Sequence, residues 1–406
     1  MSTPTSRAAA DRRRALVLAV GFVNIAASIG FTRFALTVIM PEMRRGLGLS
    51  YTELGTLATI GFALYMVVSP MAGVVGVRVG TRWTIAASLA LIALGLGGLA
   101  LASGFWTALA ANLLVQLGGA GANAAGFTIA AGWFTARRGA ATGIMMGGAG
   151  AGVVLVGQLV PRILAATPDG WRAAWGGIAA VSALIAIVCG VLLPDSRSAP
   201  RSDVAAWLGS RPALRGDVRI WVLSALVGAF GFSHIVFGTF FAAHLTTGGW
   251  TIGRIGHMWS IVGVVTIVSG LIGGALSDRI GRFRTLGVLL AGQAAASMIL
   301  ASAVGHAGVL AAVLLYGGTL MGFPAVVGAL SGDLAGPDAS RVMGFVNVFF
   351  SGGQMLGPFL AGMVIDATGT VGPALTLAAA VATAGAAAAL IAARRLVAVT
   401  PAAIGG

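Results

Sequence analysis

The chain has no lysine, a single cysteine and eleven carboxylates in 406 residues. Charged side chains make up 9% of it, against about 25% in a soluble domain. That is too little charge to coat a water-facing surface, which excludes a soluble enzyme and a disordered regulator. One cysteine, Cys189 within an apolar run, excludes an internal disulfide and a secreted disulfide scaffold. No His, Cys, Asp or Glu residues cluster at metal-ligand spacing, and no nucleophile–base set is present. Gly118-Gly119-Ala120-Gly121 sits inside an apolar run with no lysine after it, so it is not a phosphate loop. No metal, no cofactor and no enzymatic activity are expected. The first apolar run, from Ala15, is too long for a secretory signal and has no small-residue cleavage site.

What is there is hydrophobic. Apolar residues make up 58% of the chain and the mean hydropathy is +0.96, values for a chain dissolved mostly in lipid. Apolar runs of spanning length recur at 15–40, 52–75, 83–103, 106–134, 140–165 and 173–193, and then at 218–246, 252–276, 285–304, 308–331, 342–366 and 371–393. The expected fold is therefore all-α, with twelve transmembrane helices in two six-helix bundles. The domains are expected at 1–193 and 218–406, joined by a polar linker at 194–217 that carries Pro194, Pro200 and Pro212.

All 25 basic residues are arginine, and the net charge is +14. No basic patch interleaved with aromatics accompanies them, so no nucleic-acid partner is expected. Placing both termini in the cytoplasm puts nineteen arginines in cytoplasmic segments and five (Arg44, Arg45, Arg162, Arg172, Arg254) outside. The positive-inside rule then gives the orientation. The expected location is a bacterial inner membrane. Only Arg33 is left over from that division, and it falls within the first span.

The halves repeat. Gly73 to Arg82 reads GVVGVRVGTR and Gly274 to Arg284 reads GALSDRIGRFR, offset by 201 residues from Gly73 to Gly274. The same offset relates Gly30-Phe31-Thr32-Arg33 to Gly231-Phe232-Ser233-His234. The register is clear over the first two or three runs of each half and drifts near runs 5 and 11, which points to a duplication of six spans.

The Gly274–Arg284 loop resembles the signature between helices 8 and 9 of the major facilitator superfamily. Ala136–Gly143 (ARRGAATG) and Gly170–Trp175 (GWRAAW) are similar to its monocarboxylate-porter and oxalate/formate-antiporter branches. The resemblance implies two bundles related by a pseudo-twofold axis, a central cavity and transport by alternating access. It also implies a gating role for Gly73, Arg78, Gly80 and Arg82 and for Gly274, Asp278, Arg279, Gly281 and Arg282. Asp278 would meet the start of run 5 near Arg137 and Arg138. Val77 stands where the family has Asp, a departure in the first copy. Gly353–Pro358 with Gly362 resembles the antiporter motif but lies in run 11, not run 5, so it carries no antiport reading.

A charged side chain inside a span is costly and usually faces a cavity. Arg33 shares a helical face with Phe22, Ala26, Gly30 and Thr37. Its planar guanidinium can grip a carboxylate at two points. The competing reading has it reaching the outer headgroups or Glu42. His234 holds the duplicate position in run 7 and titrates near neutrality, a candidate proton carrier or substrate donor, against a packing histidine. Asn112, Gln116, Gly119 and Asn123 share a face of run 4, and Asn347, Ser351, Gln354 and Pro358 share one of run 11. Those amides either line a wet cavity or bond between helices. Tyr65, Gln158 and Tyr316 are further candidates. No Asp or Glu lies in the middle of any span, which disfavours a cation carrier. Coupling to protons stays open, through His234 or by co-transport with an anion.

The reading is a monomeric secondary transporter of a small organic anion, a monocarboxylate, with the lipid bilayer as its surroundings. Arg33 would fix the carboxylate and His234 would assist. One rival is an efflux carrier for neutral or lipophilic compounds, which Phe230, Phe237, Phe240 and Phe241 would suit. The other is a transporter-like membrane receptor.

Overall fold

A computed structural model describes residues 4–133, 138–193, 216–302 and 305–396, apart from the side chains of 4–11, 33, 70, 73–78, 127, 128, 130–132, 138–142, 337 and 340. The described backbone is helix and turn, with no strand among the described residues. The helices are α1 (Pro4–Ile25), α2 (Thr32–Leu47), α3 (Tyr51–Val79), α4 (Thr81–Ala100), α5 (Phe105–Trp133), α6 (Arg138–Ala166), α7 (Gly170–Leu192), α8 (Val218–Thr247), α9 (Ile252–Ile280), α10 (Arg282–Ser302), α11 (His306–Leu320), α12 (Gly322–Ala335), α13 (Ala339–Thr368) and α14 (Gly372–Arg395). A π-helical turn, Ala26–Phe31, joins α1 to α2, and α11 runs on into α12. Twelve rods result, one for each apolar run. Eleven of them are long and apolar enough to cross a membrane among the described residues. The remaining rod is the 29-residue α5, in which several side chains lie outside the description.

Two rods are interrupted, for different reasons. In the first, the wide turn brings Gly30 against α6, where an added Cβ would lie 2.7 Å from Gly152 Cα. In the tenth, Pro324 offers no N–H to the carbonyl of Leu320, and the helix breaks at Met321. The Met321 amide is not left bare, since it donates to Ser269 Oγ at 3.2 Å.

The duplicated loops have one backbone shape. Gly80 (φ 96°) separates α3 from α4, and Gly281 (φ 91°) separates α9 from α10. A side chain at either φ would be strained, so glycine recurs at both.

The chain forms two compact units that do not follow chain order. Unit 1 comprises Met1–Leu49, Leu64–Val204 and Ile252–Gly263; unit 2 comprises Ser50–Ala63, Ala205–Thr251 and Val264–Gly406. Most of the expected linker, residues 194–215, lies outside the described residues. In unit 1, α4 packs against α5 and α7, with Ile85, Leu89, Ile92 and Leu96 fully buried. In unit 2, α8 packs against α13, and α10 against α14. Leu286, Leu290, Phe323 and Ala386 belong to its core.

Each unit also contains one end of a long helix whose remainder belongs to the other. Within unit 1, Gly256 of α9 sits against Gly157 and Pro161 of α6. Within unit 2, Gly55 of α3 sits against Pro358, and Gly362 against Tyr51. These seams are copies at the 201-residue offset: Gly55 matches Gly256, Gly157 matches Pro358, and Pro161 matches Gly362. The offset therefore persists through runs 5 and 11, where the sequence suggested drift. Glycine and proline have exchanged places across the copies, which hides a register that the backbone keeps.

Candidate functional site

Among the described residues, each unit holds a buried polar cluster that includes expected residues. In unit 1, Ser28 Oγ donates to Asn123 Oδ1 at 3.2 Å, and Asn123 Nδ2 donates to Tyr65 Oη at 3.3 Å. The π turn presents Ser28, α5 presents Asn123, and α3 presents Tyr65. Gly119 lies beside Ser28 and Tyr65, leaving room between three rods. Asn24, which the sequence reading missed, is fully buried and donates from Nδ2 to the Ala122 carbonyl at 3.0 Å. Its Oδ1 has no hydrogen-bond partner among the described residues. Asn112 and Gln116, on the same face of α5, are half-buried. Arg33 follows the π turn by two residues at the start of α2, and its side chain lies outside the described residues.

In unit 2 the cluster centres on His234 of α8, which is buried. Its Nδ1 is 3.0 Å from the Phe230 carbonyl, and its Nε2 is 3.3 Å from Gln354 Nε2 on α13. A carbonyl oxygen only accepts, so Nδ1 carries the proton. Nε2 of the neutral ring then accepts from the Gln354 amide. Turning that amide over would present Oε1, which can accept from an imidazolium, so one glutamine can serve both protonation states. The ring is nearly parallel to Phe230 (5.0 Å, 7°) and Phe350 (5.5 Å, 9°). Phe323 stacks on Phe230 at 4.2 Å. Tyr316 donates from Oη to the His234 carbonyl at 3.0 Å. The repeat singled out His234, helical spacing singled out Gln354, and Tyr316 was a further candidate; the fold brings the three together.

Other expected residues stand apart from these clusters. Gln158 belongs to the unit 1 seam, donating to Ser260 Oγ at 2.8 Å and lying 3.2 Å from His257 Nδ1. Asn347 is exposed on α13. In the second loop, Arg282 pairs with Asp278 at 2.5 Å and with Asp333 at 2.9 Å, and donates to Ser277 Oγ at 2.6 Å. Arg279 is exposed; Gly274 lies within α9, and Gly281 marks the turn of the chain. The first copy holds Val77, Thr81 and Gly132 where the second has Asp278, Arg282 and Asp333, so it cannot form that triad. Arg82 instead lies 5.0 Å from the Trp83 ring centroid. The side chain of Arg78 and the surroundings of Gly73 lie outside the described residues, as does Arg137, and so do the side chain of Arg138 and the expected meeting of Asp278 with that pair.

A multi-pass bundle with repeated halves and buried neutral hydrogen-bonding clusters defines an integral membrane carrier. The chain belongs to the Major Facilitator Superfamily, whose sequence profile matches residues 22–326 and 236–404. Membership makes it a transporter of small molecules and not an enzyme. It is similar to an uncharacterised 38 kDa protein in a 23S RNA operon of Thermoproteus tenax, 28% identical over 319 residues, or 76% of this chain and 78% of that one. Among solved structures it is similar to a bacterial homologue of the human lysosomal transporter Spinster in an inward-facing, occupied conformation. That match has a TM-score of 0.75 and 16% identity, and covers 99% of this chain and 100% of that one. The unoccupied form of the homologue matches with a TM-score of 0.72 and 16% identity, over 97% and 96%. A mutant of the nucleoside transporter NupG matches with a TM-score of 0.76 and 14% identity, over 94% and 99%. At these identities the likeness is one of fold.

Proposed function

We propose that the protein is a secondary active transporter that moves a small organic anion, a monocarboxylate, by alternating access across a bacterial inner membrane, with both termini cytoplasmic. One observation carries the anion reading. Arg33 is the one arginine more than a helical turn from either end of its apolar run, and all eleven carboxylates lie near helix ends or in connecting segments. An arginine with no acid at its own depth suits an anionic guest. Arg33 would grip the carboxylate, while Asn123, Tyr65 and His234 would supply neutral hydrogen bonds and a proton. Asn112, Gln116 and Gln354 would extend that polar surface.

The test is uptake in proteoliposomes. Arg33→Gln should abolish transport of the anion while leaving the protein monodisperse and folded. Unchanged uptake by that variant would overturn the assignment. A second reading, a neutral planar compound carried outward, draws on the parallel rings of Phe230, His234 and Phe350. Displacement of a bound fluorescent hydrophobe by simple carboxylates favours the anion, and failure to displace favours the planar compound.

A further inference from the structure

The first four N–H groups of a helix have no partner within it, and at α3 all four are accounted for. Glu53 donates its N–H to Ser50 Oγ at 3.0 Å, while the Glu53 carboxylate accepts from the Ser50 N–H at 2.8 Å, a reciprocal capping pair. Leu54 donates to the Ser50 carbonyl at 3.2 Å. The two N–H groups left over, of Tyr51 and Thr52, both donate to a residue more than three hundred positions away. Asp366 accepts from them at 3.1 and 2.7 Å, one on each carboxylate oxygen, and from Thr52 Oγ1 at 2.5 Å. A carboxylate that accepts several donors at a helix N-terminus is held by charge-assisted bonds and by the helix dipole.

Below this cap the seam continues down unit 2. Gly362 abuts Tyr51, Gly55 abuts Pro358, and Thr59 Oγ1 donates to the Met355 carbonyl at 2.5 Å. From Leu64 onward the same continuous helix belongs to unit 1. Displacing the units relative to each other must therefore bend α3 near 63–64 or unseat this seam. The duplicate seam has no such cap, since Ala165 stands at the position equivalent to Asp366. Its polar contacts, Gln158 with Ser260 and His257, contain no carboxylate.

We infer that Asp366 is a positioning residue of the transport cycle: its carboxylate clamps the Tyr51 end of α3 to α13, and releasing that clamp is a condition for opening the seam. The inference rests on the carrier reading for its consequence, whereas the clamp itself is measured without any substrate. It makes the two seams unequal, one held by a charge and the other by neutral bonds.

The experiment uses the full-length protein in detergent carrying Thr59→Cys, with native Cys189, buried in α7, as an internal reference. N-Ethylmaleimide labelling is followed at each thiol by peptide mass spectrometry. Adding Asp366→Asn should raise the labelling rate at position 59 by about two- to fivefold, the loss of a charge at an exposed helix N-terminus. Labelling of Cys189 should not change. Asp366→Glu, which keeps the charge, should return the rate toward that of the parent. Equal rates with Asp and Asn at 366 would overturn the inference. So would a matching rise at Cys189, which reports general loosening, or Asp366→Glu behaving like Asp366→Asn. Failure of the anion reading would show instead in Arg33→Gln uptake, a separate measurement.

Discussion

The bond between Gln354 and His234 joins two buried side chains of unit 2. Gln354→Leu would keep the volume and strip the donor from His234 Nε2. Losing a buried hydrogen bond costs about 0.5–1.5 kcal/mol, so the variant should unfold at a lower temperature in a thermal-shift assay. It should also lose proton-linked transport if His234 carries the proton. His234 was legible from its position opposite Arg33 in the repeat. Its partners were not, because Gln354 and Tyr316 lie in other rods and only packing decides which rods meet. Asp366 escaped for the same reason. A carboxylate near the end of a run reads as an ordinary surface charge, and nothing local reveals that it caps a helix so far away in the chain. Asn24 was hidden among apolar neighbours, where one amide gives no periodic signal.

At the scale of the helix, glycine is either a contact or a vacancy, and the difference is measurable within α4. An added Cβ at Gly95 would lie 2.6 Å from Val115 Cγ2 and 2.7 Å from the Ala111 carbonyl. At Gly97 nothing lies within 4 Å. Gly95→Ala should destabilise by about 1–3 kcal/mol through overpacking. Gly97→Ala should stabilise by about 0.4–1 kcal/mol through the reduced freedom of the unfolded chain. Chemical denaturation in a fixed detergent would register both signs. The rods themselves were visible as apolar runs, since a spanning helix leaves no other way to pair its backbone. Their interruptions were not. The π turn sits where Gly30 comes close to Gly152, which no local signal shows, and the break before Pro324 is completed by Ser269 on another rod.

Over the whole molecule, the distribution of arginine supports one global property, the orientation proposed above. A reporter fused after Arg395 should be active in the cytoplasm, and one inserted at 167–169, between α6 and α7, should be active outside. The opposite pair of results would invert the topology and with it the reading of which end of each seam faces out. The repeat was partly legible through its glycine-marked loops, and the structure extends it to the seams. There the exchange of glycine for proline had erased the resemblance while leaving the spacing intact.

The traded ends of α3 and α9 bear on whether the halves of the chain can be separated. A half of this chain made alone would lack the partner residues of its second helix: Gly55 sits against Pro358, and Gly256 against Gly157. Cutting the chain at residues 194–217 should accordingly yield fragments that are sound only when synthesised together.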